Sequence, residues 1–78
     1  MEYPWKVVGW ERTVSEKGTE GCRLYLEQPI SGDGEGVACG RVWFNPEHVK
    51  YTPHLGHQII IITDDRNRNI VNRIIVVA

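Results

Sequence analysis

Aromatic and arginine side chains recur as closely spaced pairs between residues 10 and 43 of this sequence. In each pair the two residues are separated by one position, which places both on the same face of a β-strand. Rings stack on nucleic-acid bases and guanidinium groups contact phosphates, and the two together on the outside of a small barrel are typical of single-strand binding. The predicted nucleic-acid-binding residues are Trp10, Arg12, Arg23, Tyr25, Arg41 and Trp43.

The same rings are also suited to a core or to a contact between subunits. Trp and Tyr bury large areas and often dominate the packing of a small domain. Because Trp43 is followed directly by Phe44, one of these two rings must point inward in any strand register. Exposed aromatic clusters usually mark some contact surface. A ligand surface and a protein-interaction surface therefore both stay open.

The charge balance limits the kind of nucleic-acid binder that this chain resembles. Nine basic and ten acidic residues give a net charge of −1. Generic binders usually have a basic excess, because phosphate neutralisation supplies most of their affinity. Six of the nine cations are Arg, the better stacking residue and phosphate fork. The net charge therefore departs from what is expected of a generic nucleic-acid binder.

No pattern in the chain predicts an enzyme. A nucleophile with its base, a pair of carboxylates or a metal set would be needed, and no known catalytic motif occurs. The glycine-rich run Gly32-x-Gly34-x-Gly36 joins two predicted strands. Without a helix N-terminus behind it, such a run does not hold a phosphate in the usual way. We expect no catalytic residues.

Histidine and cysteine raise the possibility of a metal site. His48, His54 and His57 fall within ten residues, and three imidazoles can bind zinc. They lie in a connecting segment rich in Pro and Gly, without a Cys-x-x-Cys motif, which favours solvated loop residues and no metal or cofactor. Cys22 and Cys39 lie in apolar segments and are predicted to be small buried hydrophobic residues, with a disulfide disfavoured in the cytoplasm.

Length and apolar runs indicate a single domain, residues 1–78, with no membrane contact. The longest apolar runs, 59–62 and 74–78, are far shorter than the roughly 20 residues that span a bilayer. The first residues have no basic stretch followed by an apolar one, so we expect no secretory signal and a cytoplasmic location.

The elements that must position the predicted site are short strands separated by turn residues. Strands are predicted at residues 4–14, 22–27, 37–44, 58–63 and 70–77, with a bulge or bend at Gly9. Asn45 and Pro46 predict a short helical turn between the third and fourth strands. This pattern predicts a mostly all-β fold, a small five-stranded barrel that is OB-like or SH3-like.

The last two predicted strands are apolar at consecutive positions and therefore on both faces. Such a pattern is typical of a central strand, yet a barrel of this size covers only inward side chains. Roughly half of the isoleucine side chains would stay exposed to water, and each would forgo about 1.5–3 kcal/mol of stabilisation that burial provides. The sequence therefore predicts a homo-oligomer in which a second copy covers the outward side chains.

A resemblance covers most of the chain. It is carried by the stretch from Arg23 to Pro29, by the stretch from Gly36 to Pro46, by Tyr51-x-Pro53-x-Leu55-Gly56 and by the isoleucine-rich strand. On these residues the chain resembles short uncharacterised proteins of Gram-positive bacteria and their mobile elements. In size and strand order it is similar to small OB-fold single-stranded-DNA-binding proteins of phages. The resemblance implies no established activity and assigns no functional residue.

Overall fold

The computed structural model describes residues 4–30, 32–67 and 70–78. These residues fold into a sheet of five antiparallel strands. The sheet order is β3-β2-β1-β4-β5, and β3 and β5 also contact each other, so the sheet curls into a partly closed barrel. The predicted all-β fold is confirmed. The strands are β1 (Trp5–Val14), β2 (Glu20–Pro29), β3 (Val37–Phe44), β4 (Gln58–Thr63) and β5 (Val71–Val76).

A bulge in β1 decides which of its side chains face inward. Val7 is opposite Leu26, whereas the next pair joins Gly9 to Tyr25, so Val8 is an extra residue. The predicted irregularity at Gly9 is therefore confirmed. Because side chains alternate between faces, one extra residue reverses the orientation of every following residue in the strand. Trp10 consequently pairs with the buried Leu24 on the inward side.

Inward side chains of all five strands form one core. Each such side chain stabilises the fold by about 1.5–3 kcal/mol through its removal from water. Trp5 packs against this core, and its ring lies over Gly40 on β3, where a Cβ would be 3.4 Å from it. The buried residues are Val7, Cys22, Leu24, Leu26, Phe44, Val49, Ile59 and Val71.

The segment between β3 and β4 contains a single turn where a short helical turn is predicted. The Val49 amide donates to the Asn45 carbonyl at 2.9 Å, and the Asn45 side chain accepts from the Glu47 amide at 2.9 Å. Asn45 therefore caps this turn as expected. The turn does not extend into a helix, since Val49 is drawn into the core. Among the described residues, no helix is long and apolar enough to cross a membrane.

Candidate functional site

Four of the six predicted binding residues share the outward surface of β1, β2 and β3, which we call the aromatic face. Cross-strand pairing aligns them in two neighbouring rows, because directly opposed residues of antiparallel strands point to the same side. One row contains Glu11, Arg23 and Trp43. The next contains Tyr25 and Arg41, beside Gly9. The expected convergence of β2 and β3 side chains is therefore confirmed.

Trp43 lies across the neighbouring strand. Its indole covers Gly21 so closely that a Cβ built there would come within 2.0 Å of the ring atom Cζ2. The indole Nε1–H donates to Thr13 Oγ1 on β1 at 2.9 Å. The half-buried ring is thus fixed at both ends, from its own backbone on β3 to a hydroxyl two strands away. Glycine at position 21 is what permits this close approach.

Glu11 is a central member of the aromatic face that the sequence reasoning missed. The Tyr25 hydroxyl donates to its Oε1 at 2.6 Å, and Arg23 Nη1 lies 3.4 Å from the same oxygen. One carboxylate therefore holds a ring and a guanidinium group in place. The signal that could have revealed it is Gly9, because this glycine indicates a bulge in β1, and the bulge at the preceding Val8 turns Glu11 outward.

Arg41 supplies the second guanidinium group of the aromatic face. It is exposed and directly opposite Tyr25 on β2. It forms no ion pair or hydrogen bond with the residues that the structure describes. Arg23 is engaged by Glu11, so Arg41 is the guanidinium group of this face that is available to an anion without breaking an existing contact.

Trp10 and Arg12, predicted to extend the same surface, lie on the opposite side of the sheet. They pair with Leu24 and Cys22, whose side chains point inward, because the bulge at Val8 reverses the second half of β1. There they line a groove of about 550 Å³, together with Cys22, Phe44, Tyr51 and Pro53 among others. Trp10 remains 44% exposed at the mouth of this inner groove.

The two cysteines have different environments, against the prediction that both are buried. Cys22 is buried beneath the inner groove, where desolvation raises the pKa of its thiol and the nearby charge of Arg12 partly opposes that rise. Cys39 is exposed, because its place on β3 is opposite Glu27 on the outward side. Apolar neighbours in sequence do not guarantee burial in a strand whose alternate side chains face water.

The histidines are distributed over the connecting segment without forming a ligand set. His57 Nδ1 and the Tyr51 hydroxyl hydrogen-bond at 3.0 Å, and the His54 and His57 rings are in edge contact with centroids 5.0 Å apart. Within the described ranges, no group of three metal-binding side chains comes together. His57 is held by Tyr51, whose own ring packs edge-on against Phe44. These contacts tie the segment to the core.

Trp43 also borders a cavity of about 610 Å³ at one end of the barrel, the end groove. Its walls come from the turn between β1 and β2, from the segment after β3 and from the start of β5. The polar side chains among them are Ser15, Thr19, Asn45, His48 and Asn72. The aromatic face therefore continues around the end of the barrel into a polar recess.

The outward surface of β4 and β5, which we call the isoleucine face, has a different composition. Ile60 is opposite Ile75, and Ile62 is opposite Arg73. Ile60 and Ile75 are half-buried, and Ile62 is 39% exposed. The inward partners, by contrast, include the fully buried Ile59. β4 lies between β1 and β5, as expected of a central strand, but Ile59 is its one buried residue and its outer side chains remain partly exposed to water.

Comparisons with known proteins identified no relative of this chain. No family model, curated protein or solved structure matches the chain. The chemistry of the site is therefore argued from its own side chains, which on the aromatic face include two rings, two guanidinium groups and the carboxylates of Glu11 and Glu27.

Proposed function

We propose that this protein is a non-enzymatic binding module for single-stranded nucleic acid, and that the aromatic face is its binding surface. The observation that carries the proposal is the placement of Trp43, Tyr25 and two arginines on one outward surface of three paired strands. Stacking on such rings is worth about 1–3 kcal/mol per base and does not depend on sequence. Phosphates would contact Arg41 first, because Arg23 is already paired with Glu11.

The strand order supports an OB-like rather than an SH3-like barrel. β1 lies between β2 and β4, and β3 approaches β5 at the other side of the barrel. OB-folds bind oligonucleotides on the face of their second and third strands and with the loops that follow the first and fourth strands. Here β2 and β3 carry the proposed binding residues, and the turn after β1 borders the end groove beside Trp43.

The electrostatics of the surface favour modest affinity with weak salt dependence. The exposed ion pair between Arg23 and Glu11 has a 3.4 Å separation and is worth at most about 1 kcal/mol. A phosphate can therefore compete with Glu11 for Arg23. With a net charge of −1, stacking rather than counterion release would supply most of the binding energy. We place this activity in the cytoplasm, where both free thiols would stay reduced.

Replacement of one ring tests the proposal directly. Trp43→Ala should weaken binding of a short fluorescent oligonucleotide by about 5- to 150-fold, which corresponds to the loss of one stacked base. The titration is run at two salt concentrations, with circular dichroism and a thermal melt as checks on folding. Trp10→Ala is the matched control, because Trp10 is 44% exposed but on the opposite side of the sheet.

Two results would contradict the proposal. One is the absence of oligonucleotide binding by the folded wild-type protein. The other is an equal loss of affinity in Trp10→Ala and Trp43→Ala, which would mean that the aromatic face has no special role. A Trp43→Ala protein that fails to fold would assign the ring to stability, and Gly21→Ala, argued below, then tests the position of the ring without removing it.

A second function, self-association, is favoured by the isoleucine face. Ile62 is 39% exposed, Ile60 and Ile75 are half-buried, and Arg73 is the one charged residue among the outward β4 and β5 side chains that the structure describes. A second copy brings the same apolar side chains and needs no complementary charge, as in a two-fold dimer. Light scattering tests it, and a monomer mass at high micromolar concentration would contradict it.

A further inference from the structure

We infer that the aromatic face prefers guanine to the other bases and that Glu11 is the residue that selects it. This inference rests on the proposed function and adds a base preference to it. The aromatic face has an unusual feature, a carboxylate at the centre of a site proposed for a polyanion. An acidic side chain there weakens contact with phosphate, so its presence requires a different chemical role.

The carboxylate of Glu11 is held in position through Oε1, and its Oε2 can still accept hydrogen bonds. Oε1 accepts from the Tyr25 hydroxyl at 2.6 Å and lies 3.4 Å from Arg23 Nη1. Among the described residues, no group hydrogen-bonds to Oε2, and the side chain is 47% exposed. An ionised carboxylate only accepts hydrogen bonds, and each oxygen has two lone pairs. Glu11 therefore presents an oriented acceptor to solvent.

The acceptor is within reach of a base that stacks on Trp43. The indole extends from β3 over Gly21 to the hydroxyl of Thr13. Thr13 and Glu11 are two residues apart on β1 and share its outward side, which separates them by about 7 Å. A base on the β1 end of the indole would thus direct its edge toward the Glu11 carboxylate.

Guanine is the base whose edge matches a carboxylate. Its Watson–Crick edge has adjacent donors, N1–H and the N2 amino group, which can bind Oε2 and, once a phosphate has drawn Arg23 away, the lone pair freed on Oε1. Cytosine and adenine each place one amino group beside a ring nitrogen acceptor, and thymine places one N–H between two carbonyl acceptors. Single-stranded bases are commonly recognised on this edge while stacked on aromatic rings. An unpaired acceptor facing a carboxylate would be repelled.

The test uses thymidine 11-mers with one central substitution, measured by fluorescence anisotropy. Guanine, hypoxanthine, cytosine or adenine replaces the central thymine, and a single guanine avoids quadruplex formation. We expect the guanine oligonucleotide to bind about 5- to 150-fold more tightly than the all-thymine one, as for a bidentate contact. Hypoxanthine keeps N1–H but lacks the amino group, so its affinity should be intermediate.

Two substitutions assign the preference to Glu11. Glu11→Gln replaces one acceptor oxygen by a donor, so the ratio of guanine to all-thymine affinity should fall to about one, whatever the effect on binding as a whole. Glu27→Gln is the control, because Glu27 is opposite Cys39 on the same outward side and its loss changes the net charge equally. Glu27→Gln should keep the preference. Thermal melts of both variants confirm that they are folded.

The outcomes separate this inference from the proposed function. If no oligonucleotide binds, the proposed function fails and the base preference with it. If all oligonucleotides bind equally, nucleic-acid binding stands and the guanine inference is overturned. If Glu27→Gln abolishes the preference as fully as Glu11→Gln, overall charge and not a positioned acceptor is responsible, and the inference is again overturned. A preference lost only in Glu11→Gln supports it.

Discussion

The aromatic face and the isoleucine face are outward surfaces of one barrel, and they differ in how their side chains are satisfied. On the aromatic face, Tyr25 and Arg23 both contact Glu11, and Trp43 hydrogen-bonds to Thr13. On the isoleucine face, branched aliphatic side chains are opposed in pairs such as Ile60 and Ile75. The first surface is fixed by polar contacts within the chain, whereas the second leaves apolar area in water.

This difference indicates two kinds of partner. The aromatic face can make directional contacts, because its rings are fixed, one guanidinium group is accessible and one acceptor is oriented. Such contacts suit a ligand with flat bases and defined hydrogen-bonding edges. The isoleucine face can make only non-directional apolar contacts, which suit a second copy of the chain with the same aliphatic surface. If the two surfaces act independently, substitutions on one should leave the other unaffected. The predictions below test that independence.

The largest effect is expected from a charge placed on the isoleucine face. Ile62→Glu should convert an oligomer into a chain of 8.9 kDa, because a desolvated carboxylate cannot be accommodated in an apolar contact. Folding should be retained, since Ile62 is 39% exposed and the new carboxylate would be opposite Arg73. Light scattering measures the mass, and oligonucleotide affinity should stay within about twofold of wild type.

Val37→Glu is the control for this substitution. Val37 is 55% exposed at the start of β3, away from the isoleucine face, so its replacement should leave the mass unchanged. An unchanged mass for Ile62→Glu would show that the isoleucine face does not join copies. A parallel loss of mass and of oligonucleotide binding would show instead that the two surfaces depend on each other.

The next effect concerns the platform under Trp43. Gly21→Ala places a methyl group where the indole now lies, at 2.0 Å from Cζ2, so the ring must move and release Thr13. We expect a loss of about 1–3 kcal/mol in stability, typical of overpacking. Oligonucleotide binding should fall by about tenfold or more, since the stacked base loses its platform. Denaturant unfolding and anisotropy measure the two effects.

Gly9→Ala is the matched control on the same surface. A Cβ on Gly9 would be 3.5 Å from Tyr25 Cδ2, which is ordinary van der Waals contact, and the residue has no positive φ. Its stability and affinity should therefore change little. If Gly21→Ala binds oligonucleotides as tightly as wild type, the orientation of Trp43 is irrelevant to binding.

The positions of the strands could be predicted from the sequence more accurately than which of their side chains point inward or outward. Alternation along β2 and β3 placed Arg23, Tyr25, Arg41 and Trp43 together correctly, because a regular two-residue period survives pairing. The same rule failed for Trp10, since a bulge shifts the period by one residue. The glycine signalled that an irregularity was present but not which residue would be extra.

Other parts of the site depend on contacts between residues distant in sequence. Glu11 meets Tyr25, fourteen positions away, and Trp43 meets Thr13, thirty positions away. No local pattern specifies such pairs, because they follow from strand register rather than from spacing along the chain. The exposure of Cys39 has the same origin: its burial depended on whether another element covers the outside of β3, which composition does not indicate.

The smallest expected effect compares one arginine from each surface. Arg41→Ala removes the guanidinium group that is available on the aromatic face, and it should weaken oligonucleotide binding severalfold. If Arg41 contacts one phosphate, the slope of log affinity against log salt concentration should fall by about one. Arg73→Ala removes the same charge from the isoleucine face, opposite Ile62, and should leave both slope and affinity nearly unchanged.

This pair of variants separates a local contact from a general attraction. Both substitutions change the net charge from −1 to −2, so long-range attraction would weaken equally in each. A contact with Arg41 predicts a change in slope for that variant alone. Equal slopes in Arg41→Ala and Arg73→Ala would mean that Arg41 binds no phosphate. The expected loss is small because Arg41 is exposed, and an exposed ionic contact contributes about 1 kcal/mol or less.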